Sequence, residues 1–97
     1  MITTKTEKTI TAENQFTGWL FVDKKQRFSM NIAGTFDATI TMQKSYDGGT
    51  TTFDDEVTFT KPSNEVGLPQ PESAWFRTGV KTGDFVSGTV EVRMGRG

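Results

Sequence analysis

Twelve carboxylates, eleven lysines and arginines and a scatter of hydroxyls are the reactive groups of this 97-residue chain, which has no histidine and no cysteine. Without histidine, the commonest general base and metal ligand is missing. Without cysteine, no thiolate nucleophile, thiolate metal site or disulfide can form. A serine nucleophile would need a lysine or a carboxylate as its base, and no Ser-x-x-Lys spacing occurs. Asp37 and Glu91 could hydrolyse a glycoside only if a cleft held them roughly 5–9 Å apart, and the sequence indicates no cleft. Asp54-Asp55-Glu56, with Asp47 nearby, could offer oxygens to Ca²⁺ but lacks the spaced carboxylates of a calcium loop. It reads as a solvated acidic bend. No catalytic, cofactor-binding or metal-binding residue is assigned, no cofactor is expected, and the chain is read as non-enzymatic.

Other residues suit binding. Trp19, Trp75, Phe76 and Tyr46 could form an aromatic platform for a sugar or a base. The competing reading puts Trp19, Trp75 and Phe76 in the core or a subunit interface and leaves only Tyr46 exposed. The connection from Pro62 to Pro71 carries Val66, Leu68 and Pro69, a composition suited to docking on another protein or to a plain crossover. The apolar run Trp19-Leu20-Phe21-Val22 is the segment expected to cross an interface. Trp19, Leu20, Phe21, Val66, Leu68 and Pro69 are therefore the candidate contact residues.

Ser45-Tyr46-Asp47-Gly48-Gly49-Thr50-Thr51 lies between two runs of alternating apolar and polar residues. Asp-Gly at such a junction predicts a hairpin, because the turn needs positive φ. Ser45, Asp47, Gly49 and Thr51 resemble the Asp-box of sialidase-like repeats, Ser-x-Asp-x-Gly-x-Thr-Trp, in which the Asp pins a hairpin. Thr52 stands where that motif has Trp. The set Ser45, Asp47, Gly48, Gly49 and Thr51 is read as a structural clasp without a ligand.

Strands must position all of these groups. Phe28, Met30 and Ile32 alternate with Arg27, Ser29 and Asn31 up to Gly34, where a break is expected. Phe36, Ala38, Ile40 and Met42 then alternate with Asp37, Thr39, Thr41 and Gln43, the best strand in the chain. Val57 and Phe59 are expected to face the core, with a bulge or bend at Asp54-Asp55-Glu56. Trp75–Val80 and Val90–Met94 complete the set, and Lys81-Thr82-Gly83-Asp84 makes a turn. Residues 1–8 are expected as a flexible N-terminal arm or edge strand and 9–97 as one domain. No stretch holds a helical i, i+3, i+4 pattern. The fold class is all-β: a small antiparallel β-sandwich, jelly-roll or Ig-like, of seven to eight strands.

Composition narrows the function classes. Net charge is −1 and the sequence pI about 5.3, which leaves no basic excess for nucleic acid. No run reaches the ~18 apolar residues of a membrane helix, and the polar start, Met1 to Lys8, lacks a signal peptide's apolar core. No nucleic-acid or membrane partner is expected, and synthesis in a cytosol is. A core this small gains when identical copies share burial, so a homo-oligomer is expected.

Three segments carry a wider resemblance: Gly34 through Gly49, Glu72 through Asp84, and Ser87 through Arg93. Together they resemble small virion accessory proteins of tailed bacteriophages, β-sandwich head decoration or tail proteins. The resemblance implies a structural part assembled in the host cytoplasm and located in the virion, with phage coat or tail proteins as partners. A capsid decoration (cement) protein bridging coat subunits comes first, and a head–tail or tail accessory second. It implies no catalytic residue. A carbohydrate-binding β-sandwich module, suggested by the turn and the aromatics, is the rival class.

Overall fold

The computed structural model describes residues 5–67 and 71–96, the side chains of 54–57 and 67 excepted. The described residues are all-β: two antiparallel sheets without a helix. The strands are β1 (Lys5–Ile10), β2 (Gln15–Phe16), β3 (Leu20–Val22), β4 (Phe28–Ala38), β5 (Ile40–Ser45), β6 (Phe53–Phe59), β7 (Ser63–Gly67), β8 (Ala74–Val80) and β9 (Phe85–Arg96). One sheet has the order β1-β9-β4-β7, and the other runs β2-β8-β5-β6 with β3 also on β8. Both β2 and β3 pair with β8, but the register slips by one residue between them. They are one edge strand with a bulge over Thr17–Trp19, which merges the nine described segments into eight, within the expected seven to eight.

Each strand of one sheet runs on into the corresponding strand of the other: β1 into β2, β8 into β9, β4 into β5 and β6 into β7. The molecule is a four-stranded antiparallel ribbon doubled over on its apolar face. The two central crossings meet at the fold, where the Thr39 amide donates to the Asp84 carbonyl at 2.9 Å. Glycine allows the two central strands to approach and twist before this corner. Gly34 has φ 104° and Gly88 φ 98°, and an added Cβ would lie 2.4 Å from the Thr89 oxygen and 2.3 Å from the Thr35 oxygen respectively. Gly34 therefore does not end the strand as expected; it bends one that continues to Ala38.

Inward residues from both sheets form one core: Ile10, Leu20, Val22, Phe28, Met30, Ile32, Ala38, Ile40, Ala74, Phe76, Val80, Val90, Val92 and Met94. Phe28 stacks on Phe76 at 4.8 Å between centroids. Thr78 is the polar member, with its hydroxyl 3.2 and 3.1 Å from the sulfurs of Met30 and Met94. At the end away from the fold, the Ser73 hydroxyl donates to the Asp23 carboxylate at 2.6 Å, tying the β3–β4 turn to the start of β8. That bond, followed by the Lys24 amide, holds the Asp23 carboxyl below its usual pKa.

Of the two alternatives for the N-terminus, residues 5–8 take the edge strand, as part of β1, whose last residue, Ile10, enters the core. Two expectations change. The span 61–72 is not simply a connection, because it contains β7, five residues paired with β4. The run Phe36–Gln43 is not one strand, because it changes sheets at Thr39. The bulge expected at Asp54–Glu56 matches a register slip of β6 against β5 between Thr41 and Gln43.

Candidate functional site

The outer face of the β2-β8-β5-β6 sheet is where residue types and geometry converge. Alternation along β8 points Trp75, Arg77 and Gly79 away from the core, since Ala74, Phe76 and Thr78 are buried on the other face. Registers across the sheet then define three rows. Phe16 lies opposite Gly79, and Gly79 opposite Thr41. Arg77 lies opposite Gln43, with the 17–19 bulge on its other side. Phe21 lies opposite Trp75, and Trp75 opposite Ser45.

These rows make a second, smaller packing layer on the outside of the sheet. In the first, Gly79 has no side chain and the Phe16 ring lies across it: an added Cβ would be 2.7 Å from Phe16 Cδ2 and 2.1 Å from the Gln15 oxygen. In the second, the Arg77 guanidinium carbon sits 4.2 Å from the Phe16 centroid and 4.7 Å from that of Trp19. Its Nε donates to Gln43 Oε1 at 2.9 Å. The cation is therefore layered between two ring faces and fixed from below. Burial pushes its pKa down. In the third, Phe21 and Trp75 pack at 4.9 Å with a 58° tilt. Phe16, Trp19, Phe21 and Trp75 are all half-buried.

The cover explains a departure from alternation. Thr41 and Gln43, expected on the polar face of their strand, point outward together with Ser45, yet all three are buried. Among the described residues the hydroxyl of Thr41 has no hydrogen-bond partner.

The Ser45–Thr51 turn braces this layer. The Ser45 hydroxyl donates to Asp47 Oδ1 at 2.7 Å and accepts from the Gly49 amide at 2.8 Å. Asp47 Oδ1 also accepts from the Thr51 amide at 2.8 Å. The Thr51 and Ser45 bonds lower the Asp47 pKa to about 2. Gly48 and Gly49 have φ of 75° and 108°. The indole nearest the turn comes from Trp19, since a Cβ on Gly49 would lie 2.7 Å from Trp19 Nε1. The motif's missing Trp at position 52 thus has a counterpart supplied by another strand.

The four candidate platform aromatics are not brought together. Phe76 is in the core, whereas Trp19 and Trp75 lie on the outer face. Tyr46, 45 % exposed, stands apart beside Phe53 and Lys44. Of the candidate contact residues, Trp19 and Phe21 belong to the outer layer. Leu20, between them, is fully buried and cannot meet a partner, because one residue along a strand reverses the side chain's direction. Val66 is exposed on β7. Leu68 and Pro69 lie outside the described residues. Phe16 and Arg77 escape sequence reasoning, because only the register shows the arginine beside the two rings.

The acid–base candidates stay dispersed. Glu91 lies opposite Ala33, and Asp37 is four residues further along β4. That is about 13 Å at strand rise, beyond the spacing of a hydrolytic pair. Among the described residues no three of His, Cys, Asp and Glu group as metal ligands. The side chains of Asp54–Glu56 are outside the description. The outer face of the other sheet carries open grooves, one of about 450 Å³ lined by Lys5, Arg27, Ser29 and Arg93 among others. Comparison of the chain with protein-family models, curated proteins and solved structures gave no match.

Proposed function

We propose that this protein is a non-enzymatic structural component of a tailed-phage virion, a capsid decoration protein in the first instance and a head–tail or tail accessory in the second. The supporting observation is the outer layer of Phe16, Trp19, Phe21, Trp75 and Arg77. Aromatic residues and arginine are the types enriched where proteins bind one another, and they carry most of the binding energy there. A double sheet with such a face, and with open grooves on its other side, is suited to being held by neighbours rather than to enclosing a substrate. Assembly as copies of itself around a coat lattice would multiply modest contacts into firm attachment.

The experiment is mass spectrometry of purified particles, with copy number measured relative to the coat protein. Hundreds of copies per particle are expected for a decoration protein, and about a dozen for a joint or tail ring. Absence from particles refutes the proposal. The carbohydrate-module reading is weaker, because its four aromatics do not share a surface and the guanidinium already occupies two ring faces.

A further inference from the structure

We propose that the aromatic layer receives a carboxylate: an Asp or Glu flanked by apolar residues on the partner protein, paired with Arg77. This inference rests on the docking role proposed above and specifies the chemistry of the partner.

Three features of Arg77 carry it. The guanidinium is preorganised, held by Phe16 and Trp19 on its faces and by Gln43 at Nε. Its plane is set before any partner arrives, so little freedom is lost in forming a forked pair. Among the described side chains it also meets no carboxylate, and its polar side-chain contact is the neutral Gln43. Finally, it is partly withdrawn from water under the rings, where a charge-assisted bond is stronger than in solvent. A partly desolvated cation whose remaining donors meet no acid among the described side chains is half of a pair.

The ring geometry selects the occupant. A sugar needs a bare ring face to stack on, and Arg77 takes one face each of Phe16 and Trp19. Phe21 and Trp75 are tilted by 58° and do not form a flat deck. Tilted rings offer clefts for aliphatic or aromatic side chains beside the carboxylate. The occupant that matches both the charge and the shape is an acidic side chain within an apolar protein segment.

The test is an array of eleven-residue peptides with Asp, Glu, Asn or Gln fixed at the centre and randomised apolar or aromatic flanks. It is probed with the full chain and with its Arg77→Met and Arg77→Lys variants. The wild-type chain is expected to retain acid-centred peptides at least about tenfold better than their amide counterparts. Arg77→Met, which keeps an apolar stem, should bring that ratio to parity, and Arg77→Lys should leave an intermediate preference. The best acid-centred peptide and its amide twin are then titrated into the wild-type chain by NMR, which requires no variant to fold. Selective movement of the Arg77 side-chain and Trp19 indole signals by the acid form is expected. Equal retention of acid and amide peptides overturns the inference, as does a preference that survives Arg77→Met. Retention of uronic-acid oligosaccharides in place of peptides also overturns it. A chain that is abundant in particles yet indifferent to the central acid loses only this inference. One that selects acidic peptides but is absent from particles loses the virion role instead.

Discussion

Replacing Thr41 by valine should stabilise the protein. Thr41 is 1 % exposed, its hydroxyl has no partner among the described residues, and one of its neighbours across the sheet is side-chain-free Gly79 beneath the Phe16 ring. Leaving a buried hydroxyl unpaired costs about 1–3 kcal/mol. Valine keeps the β-branched shape and strand preference of threonine and puts a methyl where the hydroxyl was. The expected gain is therefore about 1–3 kcal/mol. For a domain of this size each kcal/mol moves the midpoint by about 4–8 °C, so a rise of at least about 4 °C is expected by calorimetry, with a matching shift in the urea midpoint at unchanged slope. Thr41→Ser is the companion, since it keeps the hydroxyl and deletes the methyl, and it should lose about 1 kcal/mol. Should valine leave the midpoint unchanged or lower it while serine is tolerated, the hydroxyl is satisfied and the outer layer does not seal the sheet.

Other perturbations probe separate parts of the fold. Ile40→Ala, at a fully buried core position, should cost about 2–5 kcal/mol in chemical denaturation. Gly79→Ala places a Cβ 2.1 Å from the Gln15 oxygen and 2.6 Å from Phe16 Cα. It should destabilise by about 1–3 kcal/mol and weaken protection of the β2 amides in hydrogen exchange. The Asp47 carboxyl titrates near 2 in the folded protein against an ordinary 3.8. Its contribution to stability is complete above about pH 4 and is lost as pH falls towards 2. Asp47→Asn should flatten the melting-temperature profile across that window, leaving the smaller slope due to Asp23.

Much of the architecture was legible because period-two alternation reports which side chains meet the core. It read Phe28, Met30, Ile32, Ile40, Val90, Val92 and Met94 correctly, all of them buried. The same signal is blind to the fold at Thr39. Both sheets present their inner faces to one core, so the pattern passes through the corner unchanged. It is equally blind to cover supplied by distant residues. Thr41 and Gln43 read as solvent-facing because they are polar, but Phe16, Trp19 and Trp75 arrive over this face from strands far away in sequence. β7 was missed because Ser63, Asn64 and Glu65 are weak strand formers held at an edge by pairing with β4. Arg77 could not be singled out, since nothing local separates an arginine stacked between rings from one in solvent.

The doubled ribbon has a kinetic consequence. Every pair of strands consecutive in the chain is divided between the two sheets or shares one edge, apart from β5 and β6. The Ser45–Thr51 hairpin is thus the sole ladder that can zip from its own loop, and each remaining ladder must wait for a distant partner. Such non-local wiring places folding on the order of milliseconds to seconds, and the nascent chain must avoid exposing unpaired edges until β9, its last strand, emerges to join β1 to β4.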